Sequence, residues 1–294
     1  MRLPRMRSGQ PRVAVVGHVE WVQFARVQHV PSAGEVVHAR DPFEEPAGGG
    51  AVAAVQLARL AGSCTLITAL GEDECGRRSL TRLRELGVDV CARCCDQPTR
   101  RAVTLLDDER ERTITTFGER LEPHGGEDEL AWQRLTGVDA VYFTAGDTAA
   151  LRAARAASRV LVANPRARHA LGHGVPIDAL VLSAHDEIER RELQRSHQDA
   201  AVVVYTEGGH GGSYRTSSGE RGRFEAARPP GDPVDVYGCG DSFAAGLTFG
   251  LGAGLQLEQA LKLGARCGAV CLTGRGPYAR QLTGEEMQRD GLSA

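Results

Sequence analysis

The sequence predicts an α/β fold in which a central, mostly parallel β-sheet lies between layers of helices. Short apolar runs recur along the chain and are continuous rather than alternating, as expected for strands covered on both faces. Segments rich in Ala, Leu, Arg and Glu lie between these runs. Strands that alternate with helices in this way form parallel sheets, whose ligands bind at the carboxyl ends of the strands.

The expected elements follow in order along the chain. The predicted strands are Val13–Val16, Thr65–Leu70, Ala140–Thr144, Val160–Ala163, Ala179–Leu182 and Ala201–Tyr205. The predicted helices are Ala51–Ala61, Glu74–Leu86, Thr148–Ala157, Glu187–Arg195, Asp241–Leu251 and Leu257–Thr273. Segments 19–45 and 100–117 break the alternation, and the second resembles two short strands around a charged turn.

Composition excludes several classes of partner. With 35 basic and 38 acidic residues the formal charge is −3, which gives no case for nucleic acid or an anionic membrane as the main partner. No apolar run reaches transmembrane length. Arg2, Arg5 and Arg7 make the N-terminus basic, but it lacks the apolar core of a signal peptide, so we expect a short disordered start.

The 8 cysteines are irregularly spaced. A chain of 294 residues can bury a large core without disulfides, so we expect a reduced, cytoplasmic protein. Cys91, Cys94 and Cys95 lie close together, but a zinc site would need a second pair of ligands at comparable spacing, and none is evident.

The most informative stretch runs from Asp235 to Gly246 and reads DVYGCGDSFAAG. Gly238-Cys239-Gly240 is a tight loop leading into a helix, and backbone amides at a helix N-terminus favour an anion such as phosphate. The carboxylate of Asp241 stands at the same point. An anion cradle beside a carboxylate suits phosphoryl transfer, since the amides stabilise the transferring group while the carboxylate takes a proton. An ordinary helix N-cap is an equally good explanation of these residues alone.

This stretch resembles the C-terminal motif of the ribokinase family of carbohydrate kinases (PfkB-type), Asp-x-x-Gly-x-Gly-Asp. The resemblance implies that Asp241 is the catalytic base, that residues 238–240 form the anion hole, and that Asp235 helps to hold a monovalent cation such as K⁺. Val236 and Cys239 depart from the usual Thr and Ala, but neither change removes the backbone donors or the base. The resemblance extends from about Val13 to Gly276 and implies a three-layer α/β/α fold in a single domain, with segments 19–45 and 100–117 as a small β lid.

The resemblance also implies an acceptor site. In the family two glycines and an Asn contact the sugar, and here Gly48 and Gly49 are followed by Val52 at the Asn position. A buried Val cannot bind a hydroxyl group, so the contact differs from the usual one. Val22 stands where the family often has an Asp. Glu20 and Gln23 are candidates to replace that Asp, and Trp21 is a candidate to stack on a ring; exposed lid residues are the alternative for all three.

Further matches imply a nucleotide site that binds ATP with Mg²⁺. Thr206, Gly208 and Gly211 match a Thr-x-Gly-x-x-Gly loop that lies along the nucleotide phosphates. Glu187 matches the Glu of an Asn-x-x-Glu segment that orders the water around Mg²⁺, with Ala184 in place of Asn.

Asn164 and Arg166 match polar residues near the active-site mouth, with a turn and a surface Arg as the alternative. Lid strands often pair across dimers in this family, so the resemblance also implies a homodimer.

Two other glycine motifs do not fit. Segment 71–79 resembles a P-loop, but Arg77 and Arg78 stand where Lys and Ser or Thr would bind phosphate and Mg²⁺. We instead expect Asp73 to cap the helix that follows. Gly17 is not followed by the Gly-x-Gly-x-x-Gly turn of a dinucleotide-binding oxidoreductase.

The sequence therefore predicts an ATP-dependent kinase that phosphorylates a hydroxymethyl group of a sugar or nucleoside. Changes at Val22, Val52, Ala184 and Val236 motivate one alternative, a ligand-binding regulator that kept the fold and lost activity. The intact Asp241 and loop glycines argue against that alternative.

Overall fold

The computed structural model describes residues 10–126 and 132–292, without the side chains of residues 195 and 196. The basic N-terminal residues Arg2, Arg5 and Arg7 lie outside the described part. Two sheets are present: a nine-stranded sheet with the order β13-β12-β11-β10-β9-β8-β1-β4-β5, and a four-stranded sheet with the order β3-β2-β6-β7. The large sheet is parallel from β11 to β5, and β12 and β13 join it antiparallel.

The strands and helices have these bounds. The strands are β1 Val13–Val16, β2 Glu20–Arg26, β3 Arg40–Ala47, β4 Cys64–Gly71, β5 Val88–Cys95, β6 Arg101–Leu106, β7 Arg112–Phe117, β8 Val138–Phe143, β9 Ser158–Ala163, β10 Ile177–Ser183, β11 Ala200–Thr206, β12 Gly212–Thr216 and β13 Arg221–Phe224. The helices are α1 Gly49–Ala61, α2 Glu74–Glu85, α3 Thr148–Ala157, α4 Glu187–Ser196, α5 Cys239–Gly252, α6 Leu257–Cys271 and α7 Gly284–Arg289.

The large sheet separates two apolar cores. Residues of α1, α2, α5, α6 and α7 pack on one face, and residues of α3 pack on the other together with Leu193 of α4. Central strands such as β1 are buried at every position, which explains their continuous apolar sequence. The predicted α/β/α architecture with a mostly parallel sheet is confirmed.

The four-stranded sheet is formed by the two segments that broke the alternation, and we call it the lid sheet. Strand β2 pairs with β3 antiparallel and with β6 in parallel, and β6 pairs with β7 around a charged turn. Its inner face carries Val22 and Phe24, which are buried, while Gln23 between them is exposed on the outer face. The alternation of side chains along β2 therefore decides which residues can reach the active site.

Three parts of the fold were not predicted. Strand β5 carries Arg93 and several cysteines in place of a continuous apolar run, and β12 and β13 are partly exposed strands at the edge of the sheet. Helix α7 has only 6 residues. In the described part of the chain, no helix is long and apolar enough to cross a bilayer.

Candidate active site

The loop before α5 forms an anion cradle. Gly238 precedes the helix with φ +83°, and a Cβ there would lie 3.0 Å from Val52 Cγ1 and 3.3 Å from Pro277 Cβ, so this turn requires glycine. Among the described residues, none accepts a hydrogen bond from the amides of Gly240 or Asp241, and the Cys239 amide makes only a long contact of 3.4 Å to the Val236 carbonyl. These amides are available to an anion at the helix N-terminus.

The carboxylate of Asp241 lies in the first turn of α5 and is partly exposed. It faces the start of α1: a Cβ built on Gly49 would lie 3.1 Å from Asp241 Oδ1 and 3.7 Å from both His18 Cε1 and Thr144 Cβ. Burial raises the pKa of Asp241, and the charges of Arg112 and His18 oppose that rise. A carboxyl group with a raised pKa is a stronger base than an ordinary aspartate once it is ionised.

The side chain of Asp235 links the anion cradle to the loop after α6 through hydrogen bonds. One of its carboxylate oxygens accepts a hydrogen bond from the Tyr237 amide at 2.9 Å, and the other accepts from the Gly276 amide at 2.9 Å. The side chain is buried, so these bonds fix the entry into the glycine turn. Asp235, the carboxylate predicted to hold a cation, thus also fixes the glycine turn against the loop after α6.

On the acceptor side, buried polar groups surround the start of α1. His18 Nε2 lies 3.4 Å from Glu20 Oε1, and Arg100 Nη1 lies at the same distance from that oxygen. Burial alone would raise the pKa of Glu20, but His18, Arg100 and Arg120 outweigh it and lower the pKa. Glu20 is therefore held as an anion that can accept hydrogen bonds from hydroxyl groups.

The glycines at the start of α1 leave space for a ligand to approach the backbone closely. Gly48 has φ +87°, and a Cβ there would lie 3.0 Å from the His18 ring. Val22 and Val52 are fully buried, and Val52 packs beneath Gly238. The two positions where the resemblance implies a hydroxyl-binding Asp and Asn are thus occupied by buried apolar side chains.

Two candidates of the acceptor site lie elsewhere. Gln23 is on the exposed outer face of the lid sheet, because it is one residue out of phase with Val22 and Phe24. Trp21 points to the same side, where the Arg78 guanidinium lies 4.2 Å from its ring centroid. The structure therefore brings Glu20, Gly48, Gly49 and Val52 to Asp241, but not Gln23 or Trp21.

Polar residues at the ends of β9 and β10 form a compact network around Glu189. Its carboxylate accepts hydrogen bonds from the Ser183 amide at 2.7 Å, Arg166 Nε at 2.8 Å and Asn164 Nδ2 at 3.2 Å. Arg166 also pairs with Asp186, which caps α4. Asn164 and Arg166 thus bind Glu189, and the predicted Mg²⁺ residue Glu187 lies exposed in the first turn of α4.

The predicted nucleotide loop follows β11. Thr206 ends this strand, and its hydroxyl donates to the Leu182 carbonyl at 3.3 Å. Gly208 and Gly211 both have positive φ, and a Cβ on Gly211 would lie 2.1 Å from the Phe224 carbonyl. Since β8, β9, β10 and β11 are consecutive parallel neighbours, this loop lies at the same edge of the sheet as Thr144 and Asn164.

Comparison with known proteins identifies the family. The model of the pfkB family carbohydrate kinases matches residues 10–283. The chain belongs to this family. An ATP-dependent ribose-1-phosphate kinase of Halopiger xanaduensis is 29% identical over 278 residues, which cover 88% of this chain and 91% of that protein.

Solved structures of two family members have the same fold. A ribokinase of Thermotoga maritima superposes with a TM-score of 0.76 at 19% identity, over 95% of this chain and 98% of that one. The Arabidopsis thaliana ribokinase, solved with ribose and ATP, gives a TM-score of 0.72 at 17% identity with the same coverage. These relatives are named as kinases, so the comparisons give no support to the regulator alternative.

Sequence reasoning missed several residues of this pfkB-family site. His18 and Thr144 lie beside Gly49, and His18 Nδ1 and Thr144 Oγ1 are buried with no hydrogen-bond partner among the residues that the structure describes. Glu189 is buried at the centre of its network, and Arg112 of the lid sheet is the strongest of the charges that oppose the effect of burial on the pKa of Asp241. The usable signal was the position of His18 shortly after one predicted strand and of Thr144 at the end of another.

Two other predictions concern residues away from the site. Asp73 caps α2, as expected, and its Oδ1 accepts from the Gly76 amide at 2.7 Å. Cys91 accepts a hydrogen bond from Arg134 at 3.4 Å. Within residues 10–126 and 132–292, no group of three or more His, Cys, Asp or Glu side chains is arranged to hold a metal ion.

Proposed function

We propose that this pfkB-family carbohydrate kinase transfers the γ-phosphoryl group of ATP to a hydroxymethyl group of a sugar or nucleoside, with Asp241 as the base. The observation that carries the proposal is the position of Asp241, beside unbonded helix amides on one side and the glycines of α1 on the other. An acceptor hydroxyl between Gly49 and Asp241 would give up its proton to Asp241 as it attacks.

The anion cradle would stabilise the charge on the transferring phosphoryl group. The free amides of Gly240 and Asp241 point from the N-terminus of α5, where the helix dipole adds positive potential. A Cβ on Gly240 would meet no atom within 4 Å, so there is open space beside this amide for a phosphate. The nucleotide would extend from the cradle towards Thr206, Gly208 and Gly211.

The acceptor would be bound on the lid side of Asp241. Glu20 would accept hydrogen bonds from acceptor hydroxyl groups, with His18 and Arg100 holding it in place. Gly48 and Gly49 would let the acceptor approach the backbone of α1. Asn164 and Arg166 would border the mouth of the site through their contacts with Glu189.

Metal ions fit the carboxylates that are present. Mg²⁺ prefers one or two carboxylates, phosphate oxygens and water to a cage of protein ligands, and Glu187 is exposed at the carboxyl end of β10 to bind it through water. Mg²⁺ would neutralise phosphate charge during transfer. Asp235 would bind K⁺ with lone pairs left over from its two amide contacts. Cytoplasmic localisation and a homodimer through the lid strands remain predictions.

An activity screen tests the proposal. Purified protein would be assayed for ADP release and for phosphorylated product with ATP and Mg²⁺ across a panel of sugars, phosphorylated sugars and nucleosides. We expect acceptor-dependent ADP release, and a fall of at least about a thousandfold in kcat for Asp241→Asn, because general-base catalysis and orientation are both impaired. Equal turnover by this variant would rule out Asp241 as the base.

A further inference from the structure

The lid sheet places one guanidinium group above the anion cradle. Arg112 opens β7 and pairs in register with Leu106 of β6, whose buried side chain marks the inner face of the lid sheet. The Arg112 guanidinium lies 5.6 Å from the centroid of the Tyr237 ring. Tyr237 immediately precedes Gly238, and its ring packs edge-on against Phe24 of the lid sheet at 4.8 Å. Arg112 thus lies beside the residue that leads into the glycine turn, on the side of the lid sheet.

The other cations near Asp241 are already paired. Arg166 binds Glu189 and Asp186, and His18 lies against Glu20. Arg112, by contrast, makes neither a salt bridge nor a side-chain hydrogen bond with any described residue, and its side chain is exposed. Its charge nevertheless acts on the site, since it is the strongest of the charges that hold down the pKa of Asp241. An unpaired cation beside a carboxylate is available to a ligand.

The amino-acid composition of the chain limits which cations can contact a phosphate at this site. The chain contains one lysine, Lys262, and that residue is exposed on α6. A lysine of the kind that contacts transferred phosphates in P-loop enzymes is therefore missing from this site. The cradle amides supply dipoles but no full positive charge. The transferring group carries negative charge over three oxygens, and a guanidinium fork suits two of them at once.

We propose that Arg112 is a catalytic residue whose guanidinium group binds the transferring phosphoryl group from the lid side, opposite the amides of Gly240 and Asp241. This inference rests on the proposed kinase function. It adds to the site a cation carried by the lid sheet, so that closing the lid would also bring positive charge to the transferring phosphoryl group. A Cβ on Gly240 would meet no atom within 4 Å and Arg112 is exposed, so both groups are open to a ligand.

The test measures binding of a transition-state analogue and needs no knowledge of the acceptor. Calorimetry would compare ADP with Mg²⁺ against the same ligands plus aluminium fluoride, which mimics the transferring phosphoryl group. We expect aluminium fluoride to tighten binding to the wild type at least about a hundredfold, as transition-state analogues do. Arg112→Gln should bind ADP as the wild type does but lose most of this gain. Arg101→Gln, an exposed arginine on the outer face of the same sheet, is the matched control and should keep it.

The outcomes separate the two proposals. If the wild type fails to bind ADP, the kinase proposal fails and the role of Arg112 fails with it. If the wild type gains affinity with aluminium fluoride and Arg112→Gln gains equally, only the role of Arg112 is overturned. With an acceptor in hand, kcat of Arg112→Gln should fall about a hundredfold at unchanged KM, and added guanidinium should restore part of the kcat of Arg112→Ala. A rise in acceptor KM alone, or a loss fully recovered at higher pH, would instead contradict contact with the phosphoryl group.

Discussion

Asp241 Oδ1 lies 3.1 Å from the position that a Cβ atom on Gly49 would occupy. The first turn of α1 and the first turn of α5 therefore approach each other across the site, and the carboxylate fills the space that a side chain at residue 49 would need. Two helix N-termini, each opened by a glycine with positive φ, point at the same few ångströms of space. We propose that an acceptor hydroxyl meets the transferring phosphoryl group at this convergence.

The first prediction concerns Gly49. We expect Gly49→Ala to lower kcat at least about tenfold, because the new methyl group displaces the carboxylate and small misplacements of a reacting group are costly. Steady-state kinetics at saturating ATP would measure the change. Gly126→Ala is the control, since a Cβ there meets no atom within 4 Å and should leave kcat unaltered. Wild-type kcat for Gly49→Ala would contradict the proposed placement of the hydroxyl.

The second prediction concerns pH. Burial raises the pKa of Asp241 above the usual aspartate value of about 3.9. Because the base must be ionised, kcat/KM should fall as the pH drops through this raised pKa, at a higher pH than for an ordinary aspartate. A profile of kcat/KM against pH, measured with an acceptor that is phosphorylated rapidly, would locate the pH at which activity falls. A profile flat down to about pH 4 would show that no group with a raised pKa acts as the base.

The third prediction concerns stability. A carboxyl group whose pKa is higher in the folded state destabilises the fold at every pH above that pKa, so Asp241→Asn should be more stable than the wild type at pH 7. Each kcal/mol recovered should raise Tm by roughly 3 °C in a chain of this size. The gain should shrink as the pH is lowered towards the unfolded-state value.

Asp73→Asn is the control for this measurement. Burial alone would raise the pKa of Asp73, but hydrogen bonds from the Gly76 and Thr99 amides and the Thr99 hydroxyl outweigh it and lower the pKa. Ionised Asp73 therefore stabilises the fold at neutral pH, and its loss should lower Tm. If Tm rises in Asp241→Asn and falls in Asp73→Asn, the two results separate the cost in stability of a buried base from a general effect of removing charge.

The fourth prediction separates backbone from side chain in the anion cradle. Cys239→Ala should keep kcat within about threefold, because its thiol faces the Asp235 carbonyl at 3.9 Å and the cradle uses only backbone amides. Gly238→Ala should abolish activity, since φ +83° and the contact with Val52 exclude a Cβ. Assaying both variants side by side tests the loop, and a strong loss in Cys239→Ala would assign the thiol a role.

Much of the fold follows from the sequence because buried parallel strands need continuous apolar runs. Strand β1 and helix α3 were predicted with the bounds they have. Strand β5 was missed because Cys91, Arg93 and Cys94 lie partly exposed at the edge of the sheet, where burial does not impose an apolar pattern. Its neighbour β4, buried almost throughout, was found.

The site was less predictable wherever it depends on long-range contacts. Asp241 and the loop glycines Gly238 and Gly240 belong to one local motif and could be identified from it directly. Glu189 and Arg112 gave no local signal, because Glu189 binds residues at the ends of β9 and β10 and Arg112 belongs to a separate sheet. Gln23 was a candidate by sequence distance alone, and the period of two along β2 places it on the outer face.

The last prediction uses that alternation as its control. Glu20→Gln should raise the acceptor KM by about tenfold or more, because the variant loses a buried anion that would accept hydrogen bonds from acceptor hydroxyl groups. The KM for ATP should stay unchanged, because Glu20 lies on the acceptor side of the site. Gln23→Ala, three residues along the same strand but on the outer face, should leave both values unaltered. Gln has the size of Glu and still offers an amide oxygen to His18 and Arg100, so Glu20→Gln should keep its fold while losing affinity for the acceptor. A larger effect from Gln23→Ala would place the acceptor outside the lid sheet and contradict the site built around Asp241.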